Sequence, residues 1–301
     1  MIPPSGAQYP ITSGDQEAVV VEVGGGLRTF TAAGEPVILG YGVEDMADAG
    51  RGQLLIPWPN RIRDGRYSFA GVDHQLAVTE PARHNASHGL VRWANWTAAA
   101  HETDRVVMEL VVHPQPGYPF TLGVSVEYRL GAGGLSVATT ATNLGDQPCP
   151  YGAGAHPYLT VGTDLVDEAL LEVPAGTWLR NDEQQIPVGM EPVDRTPYNF
   201  RRSRTIGALA LDTAFTDLFG TEATLASPDG LRRTTLWWDA SYRWLMLFTG
   251  DGLDPARRRR SLAVEPMTCA PNAFVTGEGL RVLDPEESWT TTWGIAAGPR
   301  R

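Results

Sequence analysis

Lysine is absent from this chain of 301 residues: all 24 basic side chains are arginine. The absence removes Schiff-base chemistry, lysine general bases and the lysine of a phosphate-binding loop. Cysteine is nearly absent too. Cys149 and Cys269 cannot build a disulfide framework or a four-thiolate metal site, so the default is a pair of reduced thiols in the cytoplasm. No run of 18 apolar residues offers a membrane span. The N-terminus, Met-Ile-Pro-Pro-Ser-Gly, has neither the charge nor the apolar stretch of a signal peptide. Positive charge is also short, with 24 basic residues against 35 acidic ones and a formal charge of -11. That balance argues against nucleic acid or an anionic membrane as partner, since both require clustered cations.

Helical periodicity is missing as well. Short apolar or alternating runs, such as Ser125-Val-Glu-Tyr-Arg-Leu130, are instead separated by turn residues drawn from 33 glycines and 23 prolines. Ser227-Pro-Asp-Gly230 is a well-formed hairpin turn. After a loose start and a valine-rich stretch at Glu17–Val23, Leu27–Tyr41 reads as two short strands around the turn Ala33-Gly-Glu-Pro36, an opening hairpin. The pattern predicts an all-β protein, a large antiparallel β-sandwich. No shift of composition divides the chain, so residues 1–301 are read as one domain.

What is present in excess of structural need lies in a few loops. Tyr151-Gly-Ala-Gly-Ala-His156-Pro-Tyr158 packs two glycines, two tyrosines, a histidine and a proline into eight residues. Pro157 biases His156 towards extended backbone, and the glycines allow close approach, which we read as room for a ligand. On these residues alone His156 is an acid, a metal ligand or a satisfied core histidine. Pro57-Trp-Pro-Asn60-Arg61 is a rigid loop, and Asn85-Ala-Ser-His88-Gly89 is a second irregular one. His84 and His88 have an i, i+4 spacing, but in a turn-rich loop without an intervening Glu it is a poor zinc motif. Glu265 closes the apolar strand Ser261-Leu-Ala-Val-Glu265, where a carboxylate must be paired or partly protonated. Asp212 is open between a helix-cap or turn aspartate and a functional carboxylate, and Arg257-Arg-Arg-Arg260 reads as an exposed loop. Trp58 and Trp93 stand beside polar loop residues, the combination a sugar site uses.

Taken in order, these blocks resemble the aldose 1-epimerase (galactose mutarotase-like) family. They are Pro57-Trp-Pro-Asn60-Arg61-Ile62, Asn85 through Gly89, Gly154-Ala-His156-Pro-Tyr158, Leu211-Asp212 with Phe215, Phe248-Thr-Gly250, and Val264-Glu265-Pro266 with Pro271-Asn272-Ala-Phe274. The resemblance covers roughly residues 50 to 285 and implies the supersandwich fold of that family, with no metal and no cofactor. It implies Glu265 as general base and His156 as general acid. Arg61, His88 and Asp212 would hold sugar hydroxyls, with Asn60 and Tyr158 in the same pocket. The partner would be a small-molecule sugar, and the protein a monomer or homodimer. Met246 stands where the best-known galactose mutarotases carry a glutamine, which leaves a hexose phosphate or other charged sugar open as substrate, with Arg63 and Arg92 to meet its charge. A non-catalytic carbohydrate-binding domain is the remaining alternative.

Overall fold

Two large antiparallel sheets carry the molecule. The computed structural model describes residues 2–298. The larger sheet has nine strands, in the order Thr97–His101, Arg105–Val112, Leu122–Gly131, Gly134–Asn143, Ser288–Gly298, Arg233–Trp238, Glu222–Ala226, Leu170–Glu172 and Arg204–Thr205. Its central strands show why the sequence alternates: in Leu122–Gly131 the even positions Leu122, Val124, Val126, Tyr128 and Leu130 are buried, while their neighbours are more accessible. Successive side chains of a strand point to opposite faces, so one face joins the core and the other meets water.

The second sheet has eight strands. Its path runs Pro187–Pro192, Ala175–Asn181, Asp212–Leu218, Trp244–Phe248, Leu262–Met267, Gly154–Ala155 and Leu54–Leu55, with Tyr158–Leu159 also paired to Leu262–Met267. Leu262–Met267 is buried at every position. A strand covered on both faces loses the alternation that the larger sheet keeps. A single apolar cluster draws on both sheets, including Val126, Tyr128 and Ile295 from one and Leu245, Leu247 and Val264 from the other.

The opening residues form a four-stranded meander, Gln8–Ser13, Gln16–Val21, Leu27–Ala32 and Glu35–Pro36, rather than a hairpin after a loose start. Gln8–Ser13 escapes a pattern reading because it is an edge strand that buries only Ile11 and contains Pro10. Asp212 caps no helix; it begins the strand Asp212–Leu218. Nor is the arginine run simply exposed. Arg259 adopts a left-handed backbone (φ 57°) and holds Asp167 and Asp251 at 2.7 Å each, while Arg257 pairs with Asp48. No helix among the described residues is long and apolar enough to cross a membrane.

Candidate active site

Strand register brings the acidic side chains to one surface. Met246 lies opposite Glu265 and Ala214, and Phe248 lies opposite Asp212. Directly opposed residues and i, i+2 neighbours share a face. Asp212, Ala214, Met246, Phe248 and Glu265 therefore project together. The same register fixes His156. Gly154 pairs with Met267 and Tyr158 with Ala263, so His156, midway between, stands across from Glu265. Its backbone is tied on the other side, where the His156 N–H donates to the Gln53 carbonyl at 3.1 Å and Gly52 N–H donates to the His156 carbonyl at 3.0 Å.

A small ladder supplies the other wall. Arg61–Arg63 pairs with Asn85–Ser87, Arg61 opposite Ser87, and the His88 N–H continues the pairing by donating to Asn60 O at 2.8 Å. Both Asn60 and His88 have left-handed backbones, with φ of 55° and 62°. Gly89 follows, also left-handed (φ 72°), so close to the preceding loop that a β-carbon would lie 1.9 Å from Ile56 O. Only glycine fits there.

These two walls enclose a cavity of about 810 Å³. At its floor His156 Nε2 lies 3.2 Å from Glu265 Oε1. The ring of His88 meets that of His156 edge-on at 5.5 Å, and ligand-capable atoms of His88, His156 and Glu265 all fall within 4.8 Å of one another. His88 thus clusters with His156 and Glu265 rather than with His84, which is exposed and bonded to Asp64. Three atoms of the cluster, His88 Nδ1, His156 Nδ1 and Glu265 Oε2, are buried without a hydrogen-bond partner among the described residues. Buried polar groups without partners are costly, and they concentrate where a ligand supplies the missing bonds.

Burial sets the charge state of the pair. It pushes His156 down to about 3, helped by the cationic Arg92, Arg51 and Arg61. It drives Glu265 well above the usual carboxylate range; Asp212 adds to the rise and Arg61 opposes it. His88 is also depressed, by burial and then by His156, Arg92 and Arg61. Burial therefore favours, in the free site, the arrangement with the proton on the Glu265 carboxyl and the His156 imidazole neutral.

Arg61 is held rigidly. Burial opposes its charge, but bonds from Nε and Nη2 to the two Glu80 oxygens, at 2.7 and 3.1 Å, raise it above its ordinary value. Arg61 also lies 3.6 Å from Asp212, and Arg83 bridges Glu80 at 3.4 Å to Asp212 at 3.1 Å. Tyr158 does not line the cavity. Its ring stacks on the far side of His156 at 5.0 Å, its hydroxyl donates to Ala49 O, and Arg51 covers its other face at 4.9 Å. Gly152 and Gly154 do not make room for a ligand either: β-carbons there would meet Cys269 Sγ at 2.5 Å and Pro59 Cβ at 2.9 Å. The glycine that matters to the histidine is Gly50, where a β-carbon would lie 2.5 Å from His156 Cδ2.

The profile of the aldose 1-epimerase family matches residues 8–296. The chain belongs to the aldose 1-epimerase family. It is an isomerase acting on carbohydrates. YihR, an uncharacterised protein of Escherichia coli K12, is 37% identical over 284 residues, 93% of this chain and 90% of that protein. The galactose 1-epimerase of Lactobacillus acidophilus NCFM superposes with a TM-score of 0.84 at 20% identity, covering 96% of this chain and 93% of that one. The aldose epimerase homologue of Caenorhabditis elegans reaches a TM-score of 0.88 at 19% identity, covering 98% and 99%. The epimerase thus has the galactose mutarotase-like supersandwich expected of it.

Of the residues singled out in the sequence, Asn60, Arg61, His88, His156, Asp212 and Glu265 all face the cavity. Trp93 does so from its rim, 51% exposed, whereas Trp58 is buried edge-on against Phe274. Arg92 faces the cavity, but Arg63 does not, being turned to Asp182 (2.5 Å) and Gln184. Glu80 and Arg83 went unnoticed in the sequence. Thr79-Glu-Pro-Ala-Arg83 carries no motif, and its importance lies in Arg61 and Asp212, which are distant in the chain.

Proposed function

We propose that the epimerase is a mutarotase of an aldohexose, interconverting its α and β anomers by opening and reclosing the ring. The observation that carries this reading is the buried Glu265–His156 contact at 3.2 Å, with a further unpartnered atom on each side chain. In the opening step Glu265 takes the proton of the C1 hydroxyl while His156 gives one to the ring oxygen, and the C1–O5 bond breaks. Rotation about C1–C2 presents the other carbonyl face. On closure the O5 hydroxyl adds to C1, its proton returns to His156, and Glu265 returns its proton to the carbonyl oxygen. No proton is gained or lost by the pair.

The electrostatics favour the middle of this cycle. Opening leaves neutral imidazole and protonated Glu265, the state that burial prefers. The starting state is the same proton moved to His156. Arg61, which draws Glu265 towards ionisation, supports that state. Arg61, His88 and Asp212, with the Asn60 amide, would bind the hydroxyls of the ring, since all face the cavity with polar atoms.

Polarimetry of freshly dissolved α-D-glucose and α-D-galactose tests the proposal. Wild type accelerates the change of rotation, and Glu265→Gln and His156→Ala each lower the catalysed rate by about 10²- to 10⁴-fold, the usual worth of a positioned proton-transfer group. Full activity in Glu265→Gln would place the base elsewhere. If no neutral or charged aldose responds to wild type, the function is wrong. Because the His88, His156 and Glu265 donors are also close enough to grip a cation, the assay is repeated after EDTA. An unchanged rate is expected; loss of activity restored by a divalent ion would favour a metal-dependent reading.

A further inference from the structure

The charged side chains of the cavity wall are nearly all matched. Arg61 and Arg83 are shared between Glu80 and Asp212. Asp251 is held by Arg259, and Asp48 lies against Arg51 and Arg257. Glu265 has His156. Arg92 is the exception. Among the described residues no carboxylate lies within ion-pairing distance of it; its guanidinium donates only to Ser87 O at 3.2 Å and Gln53 Oε1 at 3.5 Å. Two long, neutral hydrogen bonds do not replace the water that a guanidinium loses on burial. Accordingly, burial depresses Arg92, where Arg61, with its carboxylates, is raised. Glu80 acts on Arg92 from farther off, but both Glu80 oxygens are already taken by Arg61.

Taking the proposed mutarotase activity as given, we infer that the substrate is an aldohexose bearing an anionic substituent, and that Arg92 is the residue that receives it. The placement supports this. Arg92 sits four residues beyond His88 and beside Trp93, both on the cavity surface, and its field reaches His88 and His156. A group on the exocyclic C6 can carry charge without altering the ring oxygen, C1 or the ring hydroxyls. Phosphate, sulfate, sulfonate and carboxylate share the chemistry that a guanidinium recognises, oxygens accepting two parallel N–H bonds. Arg63, the other candidate, cannot serve, because Asp182 and Gln184 already occupy it.

The test compares glucose with glucose 6-phosphate, glucose 6-sulfate and glucuronate, the anomeric exchange being followed by magnetisation-transfer NMR in wild type and Arg92→Gln. A charge-assisted contact predicts that at least one anionic sugar exceeds glucose in kcat/KM by about 10- to 100-fold, and that Arg92→Gln collapses this ratio. The three anions separate a tetrahedral group from a planar carboxylate. The inference is overturned if the ratio is near one in wild type, or is the same in both proteins. Binding is measured in parallel by titration calorimetry with 1,5-anhydroglucitol and its 6-phosphate, which cannot mutarotate. A wild-type preference for the phosphate that Arg92→Gln abolishes supports the anion site even if no aldose is turned over. Equal binding overturns it, while glucose mutarotation, if present, leaves the proposed function standing.

Discussion

Glu265 shows most directly what one residue contributes to function at the expense of stability. It is 2% exposed, one of its oxygens has no partner among the described residues, and burial holds its carboxyl well above the ordinary range. Above about pH 4.5 the unfolded chain sheds that proton readily while the folded chain retains it. The folded state thus binds more protons, and stability falls as pH rises through this range. Glu265→Gln keeps the shape and removes the titration. Its melting temperature is expected to exceed wild type by roughly 2–6 °C at pH 8, for about 1–2 kcal/mol in a chain of this size, with a smaller gain at pH 5. Differential scanning fluorimetry at the two pH values checks it. A variant that is less stable than wild type at pH 8 would mean that the carboxylate is stabilised in a way the present contacts do not explain.

At the scale of elements, the site is a matter of register on one side and of a strained loop on the other. The strands Trp244–Phe248 and Leu262–Met267 place Met246 against Glu265, and the interruption between Gly154–Ala155 and Tyr158–Leu159 sets His156 across from it. The opposite wall depends on Gly89, whose left-handed backbone touches Ile56 O. Gly89→Ala adds a β-carbon that cannot be accommodated without moving the loop that carries His88. It should cost about 1–3 kcal/mol, and because the loop shifts, activity should fall further than stability alone accounts for. Urea unfolding and polarimetry on the same preparation separate the two effects. By contrast Gly71→Ala, also left-handed (φ 78°) but with open space around its β-position, should destabilise without comparable loss of rate. Much of this element-scale arrangement was legible in the sequence. Pro57-Trp-Pro-Asn60-Arg61, His156-Pro157 and the carboxylate on an apolar strand each announced a polar group where the backbone is constrained. The family resemblance implies Tyr158 in the pocket, but its ring stacks on His156 and lies behind the histidine, outside the cavity lining. Arg83 carries no local signal because its pair with Asp212 spans 129 residues, and Glu80 carries none because its partner Arg61 lies on another loop, 19 residues away.

At the scale of the whole molecule, strand alternation in the nine-stranded sheet made the all-β architecture readable, whereas Gln8–Ser13 and Asp212–Leu218 hid behind Pro10 and a polar start. The same sandwich that buries its core also buries His156 and partly buries His88, and this governs acid stability. His156 is held down to about 3 and His88 well below 6.5, each first by burial. The unfolded chain protonates both near pH 6.5, so below that pH it binds up to two more protons than the folded chain. Stability contributed by the neutral imidazoles is therefore full above about pH 6.5 and declines as pH falls towards 3. Raising the pH in that interval adds at most about 1.4 kcal/mol per unit for each fully titrating histidine. A series of urea midpoints from pH 7.5 to 4.5 should show this loss, and His88→Gln should flatten the slope by up to one proton's worth. If wild type and His88→Gln lose stability in parallel down to pH 4.5, His88 is protonated in the folded state. The cluster of His88, His156 and Glu265 would then carry a different charge from the one that burial imposes.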